Sequence, residues 1–246
     1  VAKPYKNQQT RKKEQVALMF NNIARRYDFL NHFLSLGIDK IWRKKAIKYL
    51  AHRTKNPVLL DIACGTGDLA IEALKLHPEK IIGLDISEEM LKIGRTKIDR
   101  KKAAHIITLQ KGDAENISFN DNYFDAITVA FGVRNFENLS KGLIEMFRVL
   151  KPGGHVVILE FSNPTLFPVK QIYQFYFNVI LPVIGKFVSK DHSAYAYLPE
   201  SVNRFPAQWQ FIKEMEKAGF SQSKYKSLTF GIATIYYATK IEKQKM

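Results

Sequence analysis

A chain of 246 residues with 38 Lys+Arg against 23 Asp+Glu has a formal charge of +15, which favours an anionic partner or surface, nucleic acid and anionic lipid alike. That length buries a sizeable core without an internal linker, so one body at 51–246 is expected, with an N-terminal helical extension at 1–50 and an insertion at about 163–206. The single cysteine, Cys64, excludes an intramolecular disulfide and a thiolate metal cluster, and the histidines outside the insertion show no metal spacing.

No apolar segment opens the chain, so cytoplasmic residence is the expectation. Residues 15–49 are amphipathic. Basic clusters at Arg11-Lys12-Lys13, Arg25-Arg26 and Arg43-Lys44-Lys45, like Arg100-Lys101-Lys102 and the tail at 243–245, each read as solvated surface. Strand-like runs at 58–63, 81–85, 105–109, 124–130 and 155–161 then alternate with helix-like stretches at 69–76, 88–101 and 140–150. That alternation predicts a parallel α/β sheet. Lys151-Pro152-Gly153-Gly154 reads as a stop and turn. An aromatic segment follows Asn163-Pro164 up to about Pro206. Its most apolar part, 175–188, is broken by Asn178, Pro182, Gly185 and Lys186 and is too short to span a bilayer. A helix at 207–218 and strands at 220–230 and 233–240 close the chain. A sheet ending in such a hairpin fits a methyltransferase-type Rossmann fold better than a dehydrogenase.

The most informative stretch is Leu59-Leu60-Asp61-Ile62-Ala63-Cys64-Gly65-Thr66-Gly67-Asp68, an apolar strand that ends near a carboxylate and breaks into a glycine turn. Gly65 and Gly67 let backbone approach a ligand closely, which is the mark of a nucleotide-type cofactor site. The spacing Gly65-x-Gly67-x-x-Ala70, with Asp85 about 20 residues on, also satisfies a loose dinucleotide fingerprint. Charge separates the two readings. A pyrophosphate over this turn would face Asp61 and Asp68, whereas S-adenosylmethionine brings an ammonium and a sulfonium there. Asp61 then holds the amino group, Gly65 and Gly67 accommodate the methionine portion, and Asp85 accepts from the ribose hydroxyls. After the third strand, Asp113 is placed for the adenine amino group and the Ala114 N–H for a ring nitrogen. Phe131-Gly132-Val133-Arg134-Asn135-Phe136 follows the fourth strand, next to the expected methyl group. Cys64 reads as a small, partly buried filler.

Three signatures together resemble the ubiquinone/menaquinone biosynthesis C-methyltransferases across nearly the whole chain, about 13–240. They are Tyr27-Asp28-Phe29-Leu30-Asn31 with Leu34-Ser35 and Trp42, the Phe131–Asn135 segment, and Arg148-Val149-Leu150-Lys151-Pro152-Gly153-Gly154 continuing through Glu160-Phe161-Ser162. The resemblance implies a class I S-adenosylmethionine-dependent methyltransferase, with a Rossmann-like, mostly parallel seven-stranded sheet and helices on both faces. It also implies methyl transfer to a ring carbon of a polyprenylated quinol, demethylmenaquinol in the menaquinone route. Carried over by motif, Thr66, Asp85, Asp113 and Ala114 contact the cofactor. There are departures: Asp39 stands where many relatives have His, Ala63 replaces the first glycine of the turn without steric harm, and Ala130 replaces a Ser.

Carbon methylation needs an electron-rich ring, and a phenolic proton of pKa near ~10 does not leave unaided at neutral pH. Oxidised quinone is therefore expected to be inert. Arg134 is assigned to stabilising the phenolate, Asn135 to orienting the ring hydroxyl, and His192, or a water held by Arg134, to accepting the proton. Tyr195 and Tyr197 are expected to line the substrate pocket and Tyr27 to close over the cofactor. No metal is required. The aromatic insertion is expected to cover the ring and lead the prenyl tail outward, with basic N-terminal segments facing an anionic membrane surface in peripheral contact. A homo-oligomer stays open. The alternatives are a benzoquinol C-methyltransferase of the ubiquinone pathway, an RNA methyltransferase suggested by the charge though no nucleic-acid partner is expected, and a noncatalytic S-adenosylmethionine-binding assembly protein.

Overall fold

The computed structural model describes residues 2–5, 8–35, 37–180 and 193–241. Two helices, α1 (Lys12–Leu34) and α2 (Ile38–Ala51), precede the first strand, with Gly37 in the left-handed region between them (φ +74°). Five parallel strands follow: β1 (Val58–Ile62), β2 (Lys80–Asp85), β3 (Ile107–Lys111), β4 (Phe124–Ala130) and β5 (Leu150–Phe161). Helices α3 (Asp68–Ala73), α4 (Glu88–Arg100) and α5 (Leu139–Val149) lie among them. Then come α6 (Val169–Phe175), α7 (Ser193–Arg204), α8 (Trp209–Lys217) and the strands β6 (Ser221–Leu228) and β7 (Ala233–Thr239). The seven strands form one sheet in the order β3-β2-β1-β4-β5-β7-β6, with β7 antiparallel to both neighbours.

Near-continuous apolar strands follow from a sheet covered on both faces. Successive side chains of β1 point oppositely, so Leu59 joins a core with Trp42, Ala46 and Leu50 of α2 and Leu91 of α4, while Leu60 and Ile62 join Leu143 and Met146 of α5 and Phe211 of α8. The strand order reverses between β1 and β4, and loops beyond the carboxyl ends of those strands are where an open α/β sheet binds ligands. A third apolar cluster joins Val16 and Met19 of α1 to Tyr173, Phe177, Ala194 and Tyr197, which sets α1 against the insertion.

The structure revises three local expectations. Residues 103–106 form a turn, with the Ile106 and Ile107 N–H groups both bonded to Ala103 O, so β3 starts two residues later than expected. The helix stops at Val149, just before Lys151-Pro152-Gly153-Gly154, but that segment is not a separate turn: Gly153, at φ +78°, donates to Lys240 O, and Lys240 donates back to Gly154 O, so β5 already runs through it with a bulge. Two basic clusters are only partly solvated. Lys44 and Lys45 are exposed, but Arg43 is buried, and Lys12 is buried with its ammonium donating to Arg134 O and Phe136 O. Among the described residues no helix is long and apolar enough to cross a membrane.

Candidate active site

The turn after β1 is built around carboxylates. Asp61 is fully buried; Thr128 donates to its Oδ1 at 2.8 Å, while Oδ2 has no partner among the described residues. Burial pushes its pKa up to about 7, against the pull of the Thr128 hydrogen bond and the charge of Arg43. Ala63 adopts φ +52°, and its methyl fits because Gly132 faces it: a Cβ at Gly132 would come within 2.5 Å of the Ala63 Cβ. Gly65, at φ +54°, faces open space and donates its N–H to Asp85 Oδ2 at 2.8 Å. Asp85 Oδ1 accepts from Ser87 N, so the second carboxylate is fixed against the turn by backbone alone. Cys64 is buried and its thiol is pushed well up by that burial, as a filler should be.

A cavity of about 700 Å³, counting its mouth, is lined by Gly65, Asp85, Asp113, Ala114 and Asn135 and roofed by Lys13, Phe20 and Tyr27 of α1. Asp113 receives Glu115 N on Oδ1 and Lys13 Nζ on Oδ2 at 2.7 Å; burial opposes ionisation, yet these donors hold its carboxyl below the usual range. The Thr66 hydroxyl turns toward α1, donating to Asp28 Oδ1 at 2.5 Å and accepting from Lys97 Nζ at 3.1 Å. Asn135 lies on this side, its Nδ2 donating to Phe131 O at 3.4 Å and its Oδ1 buried without a partner among the described residues.

A larger and mostly apolar cleft, about 1640 Å³ counting its mouth, shares Phe20, Tyr27 and Phe131 with the first. Trp42, Phe161, Ile172 and Phe177 form much of its wall. At its head the Arg134 side chain is 7% exposed and pairs with Glu160, which is fully buried at the end of β5; Nη1 reaches Oε1 at 2.7 Å. Glu160 also accepts from the backbone N–H groups of Phe161 and Arg134. Burial raises the Glu160 pKa and the Arg134 charge opposes that rise. Among the described residues, Arg134 Nε, Tyr173 OH and Tyr197 OH are buried without hydrogen-bond partners, and all three residues line this cleft. Buried orphan donors are costly, so three lining one cleft are available to the acceptors of a ligand.

The expected residues thus divide between two adjoining chambers. Asp61, Gly65, Asp85, Asp113, Ala114 and Asn135 gather at the turn side, Arg134 and Tyr197 at the apolar side, and Tyr27 at the junction. Gly67 serves the turn itself, donating to Cys64 O at 2.8 Å. His192 and the side chain of Tyr195 lie outside the described residues. Glu160 and Arg43 had no site role read from sequence, and Tyr173 was read only as part of the aromatic run expected to cover the ring. For Glu160 a signal existed, because it sits near the end of an apolar strand as Asp61 and Asp85 do.

A family model described as the ubiE/COQ5 methyltransferase family matches residues 8–240. A demethylmenaquinone methyltransferase from Bacteroides fragilis is 51% identical over 97% of both chains. A ubiquinone/menaquinone biosynthesis C-methyltransferase UbiE from Geotalea daltonii is 48% identical over 94% of this chain and 98% of its own. Among solved structures, an S-adenosylmethionine-dependent methyltransferase from Thermotoga maritima superposes with a TM-score of 0.64 at 20% identity, covering 91% of this chain and 99% of that one, a likeness of fold. With a match this long joined to a seven-stranded class I methyltransferase sheet, the chain belongs to the ubiE/COQ5 methyltransferase family.

Proposed function

We propose that this enzyme moves a methyl group from S-adenosylmethionine to a ring carbon of a polyprenylated quinol, turning demethylmenaquinol into menaquinol. The observation that carries this reading is the meeting, at Phe20, Tyr27 and Phe131, of a carboxylate-rich chamber beside the glycine turn and an apolar cleft lined by donors that have no partner among the described residues. The names of the relatives that cover nearly the whole chain agree with it.

The donor set fits the cofactor. An orphaned buried oxygen on Asp61 suits an ammonium, the open space over Gly65 suits a close-lying methionine chain, and Asp85 retains lone pairs for ribose hydroxyls. Asp113 and Ala114 take the adenine edge, the backbone of Thr66 and Gly67 shapes the turn, and Tyr27 closes the junction. When bound, the cofactor supplies a methyl group made electrophilic by a sulfonium. The chain's own work is to align it with the ring and exclude water.

Arg134 presents Nε toward the ring oxygens and stabilises a developing phenolate, with Glu160 holding the guanidinium in that pose. Asn135, from the cofactor side, orients the ring hydroxyl. Burial pushes the hydroxyls of Tyr173 and Tyr197 far up, so both stay protonated and donate rather than act as bases. Proton removal falls to His192 or to a water held by Arg134. Leu166, Phe167, Ile172 and Phe175 are strongly exposed where Ile172 lines the cleft, and this apolar strip on a chain of +15 suits peripheral contact with an anionic membrane that delivers the prenyl tail. Within the extension at 1–50, α1 caps both chambers and α2 adds to the wall of the apolar one.

The test is methyl transfer from labelled S-adenosylmethionine to chemically reduced demethylmenaquinone, with the oxidised quinone, a demethylated benzoquinol and bulk tRNA in parallel. Label in the reduced naphthoquinol product alone is the expected result. Label confined to the benzoquinol or to tRNA overturns the substrate, and cofactor binding without any transfer overturns the activity.

A further inference from the structure

We infer that Arg43 anchors the α-carboxylate of the bound cofactor and forms, with Asp61, a subsite that reads an amino-acid end by its two opposite charges. This rests on the proposed use of S-adenosylmethionine. A small cleft of about 340 Å³, counting its mouth, adjoins the cofactor chamber along Tyr27, Ala63, Gly65 and Ala130. Its lining carries the carboxylates of Asp61 and Asp68 and, among the described residues, a single cation, Arg43.

Arg43 is not a surface charge. Its side chain is 9% exposed, Nη1 donates to Asp39 Oδ2 one turn back on α2, and its guanidinium carbon lies 5.7 Å from the centre of the Phe131 ring. Nη2 approaches Asp68 Oδ2 at 4.0 Å, an ion pair beyond hydrogen-bond reach. Asp68 is itself engaged by Lys97. The same cleft contains Asp61, whose Oδ2 is buried and orphaned. One cleft thus holds a guanidinium whose Nη2 makes no hydrogen bond among the described residues and a buried, orphaned carboxylate oxygen, which is costly by itself; a zwitterion engages both. Its carboxylate meets Arg43 and its ammonium meets Asp61. Asp39, whose Oδ1 accepts from Ser35 Oγ at 2.6 Å, fixes one arm of the fork and leaves the other for the ligand.

The reverse arrangement is disfavoured by charge. With the carboxylates of Asp61 and Asp68 in the rest of the lining, a carboxylate placed away from Arg43 faces like charge at short range. The site therefore orients its ligand, and removing the ligand's carboxylate removes the partner of one residue only.

The experiment is titration calorimetry of the full chain with S-adenosylmethionine and with decarboxylated S-adenosylmethionine, for wild type, Arg43→Met and Arg43→Lys. Wild type is expected to lose its preference for the carboxylated ligand, roughly 10- to 100-fold, in Arg43→Met, which binds the decarboxylated ligand within about threefold of wild type. Arg43→Lys, with charge kept and fork lost, falls between. Equal weakening of both ligands in Arg43→Met, or unchanged affinity for S-adenosylmethionine, overturns the assignment. If Arg43→Met does not fold, Arg43→Lys and the wild-type preference decide it. Binding of neither ligand to wild type overturns the cofactor reading and this assignment with it, whereas binding of both without preference overturns this assignment alone.

Discussion

Replacing Arg134 with Leu strips the partner from a carboxylate that has no exposure at all. The guanidinium reaches Glu160 Oε1 at 2.7 Å, and the other donors to that carboxylate are the backbone N–H groups of Phe161 and Arg134. Leaving such a charge uncompensated costs about 3–5 kcal/mol. For a chain of this size each kcal/mol moves Tm by about 2–4 °C, so the loss is on the order of 10 °C. Its pH dependence identifies the cause. Burial already raises the Glu160 pKa, and Arg134 opposes that rise, so removing the guanidinium lifts it further above the unfolded value. Between the two values the folded variant holds a proton that the unfolded chain has released, and stability falls as pH rises through that window. Thermal unfolding of Arg134→Leu is therefore expected to show a smaller deficit against wild type at pH 5 than at pH 8. Adding Glu160→Gln to Arg134→Leu recovers most of the loss and flattens its pH dependence, while methyl transfer stays absent. A deficit equal at both pH values and unrelieved by Gln refutes the reasoning.

Tyr173→Phe and Tyr197→Phe each remove a buried hydroxyl that has no hydrogen-bond partner among the described residues. Each is expected to leave Tm unchanged or slightly higher while raising KM for the reduced quinol about fivefold, the worth of one hydrogen bond near ~1 kcal/mol; melts and steady-state kinetics on the same preparations check both. Lys12 is buried with its pKa lowered to about 8, chiefly by desolvation and then by the charge of Arg134. Above that value the unfolded chain binds a proton that the folded chain has released, so Lys12 adds a rise in stability from about pH 8 toward its ordinary value. Lys12→Met is expected to reduce that rise in thermal melts between pH 8 and pH 10, and an unchanged slope would refute the shift.

The glycine turn and its acids were legible because a strand, a carboxylate and two glycines in ten residues admit few structures. Asp61, Gly65 and Asp85 accordingly stand together as the spacing suggested. The sheet was legible for a similar reason, since alternating apolar runs and amphipathic helices have one economical packing. Bounds slipped where glycine or a turn interrupted a run, as at Gly153 and Ala103. Pairings across long sequence separations were not legible. Glu160 lies 26 residues from Arg134, and Lys13 lies 100 from Asp113. Arg43 shows the limit of reading charge clusters as units: three adjacent basic residues on a helix point in three directions, and one of them turns inward. Tyr173 sits in a run so rich in aromatics that wall and filler look alike until the fold shows which hydroxyl lacks a partner.

The two chambers share Phe20, Tyr27 and Phe131 but otherwise present very different walls. On the proposed reading, a charged, water-loving reactant and a greasy one each meet walls of their own kind, and what passes between them is one carbon atom. Neither has to vacate its room for the other to be replaced. On that reading the spent cofactor is replaced without disturbing the seat of the quinol's tail, which suits an enzyme whose two reactants live in different phases.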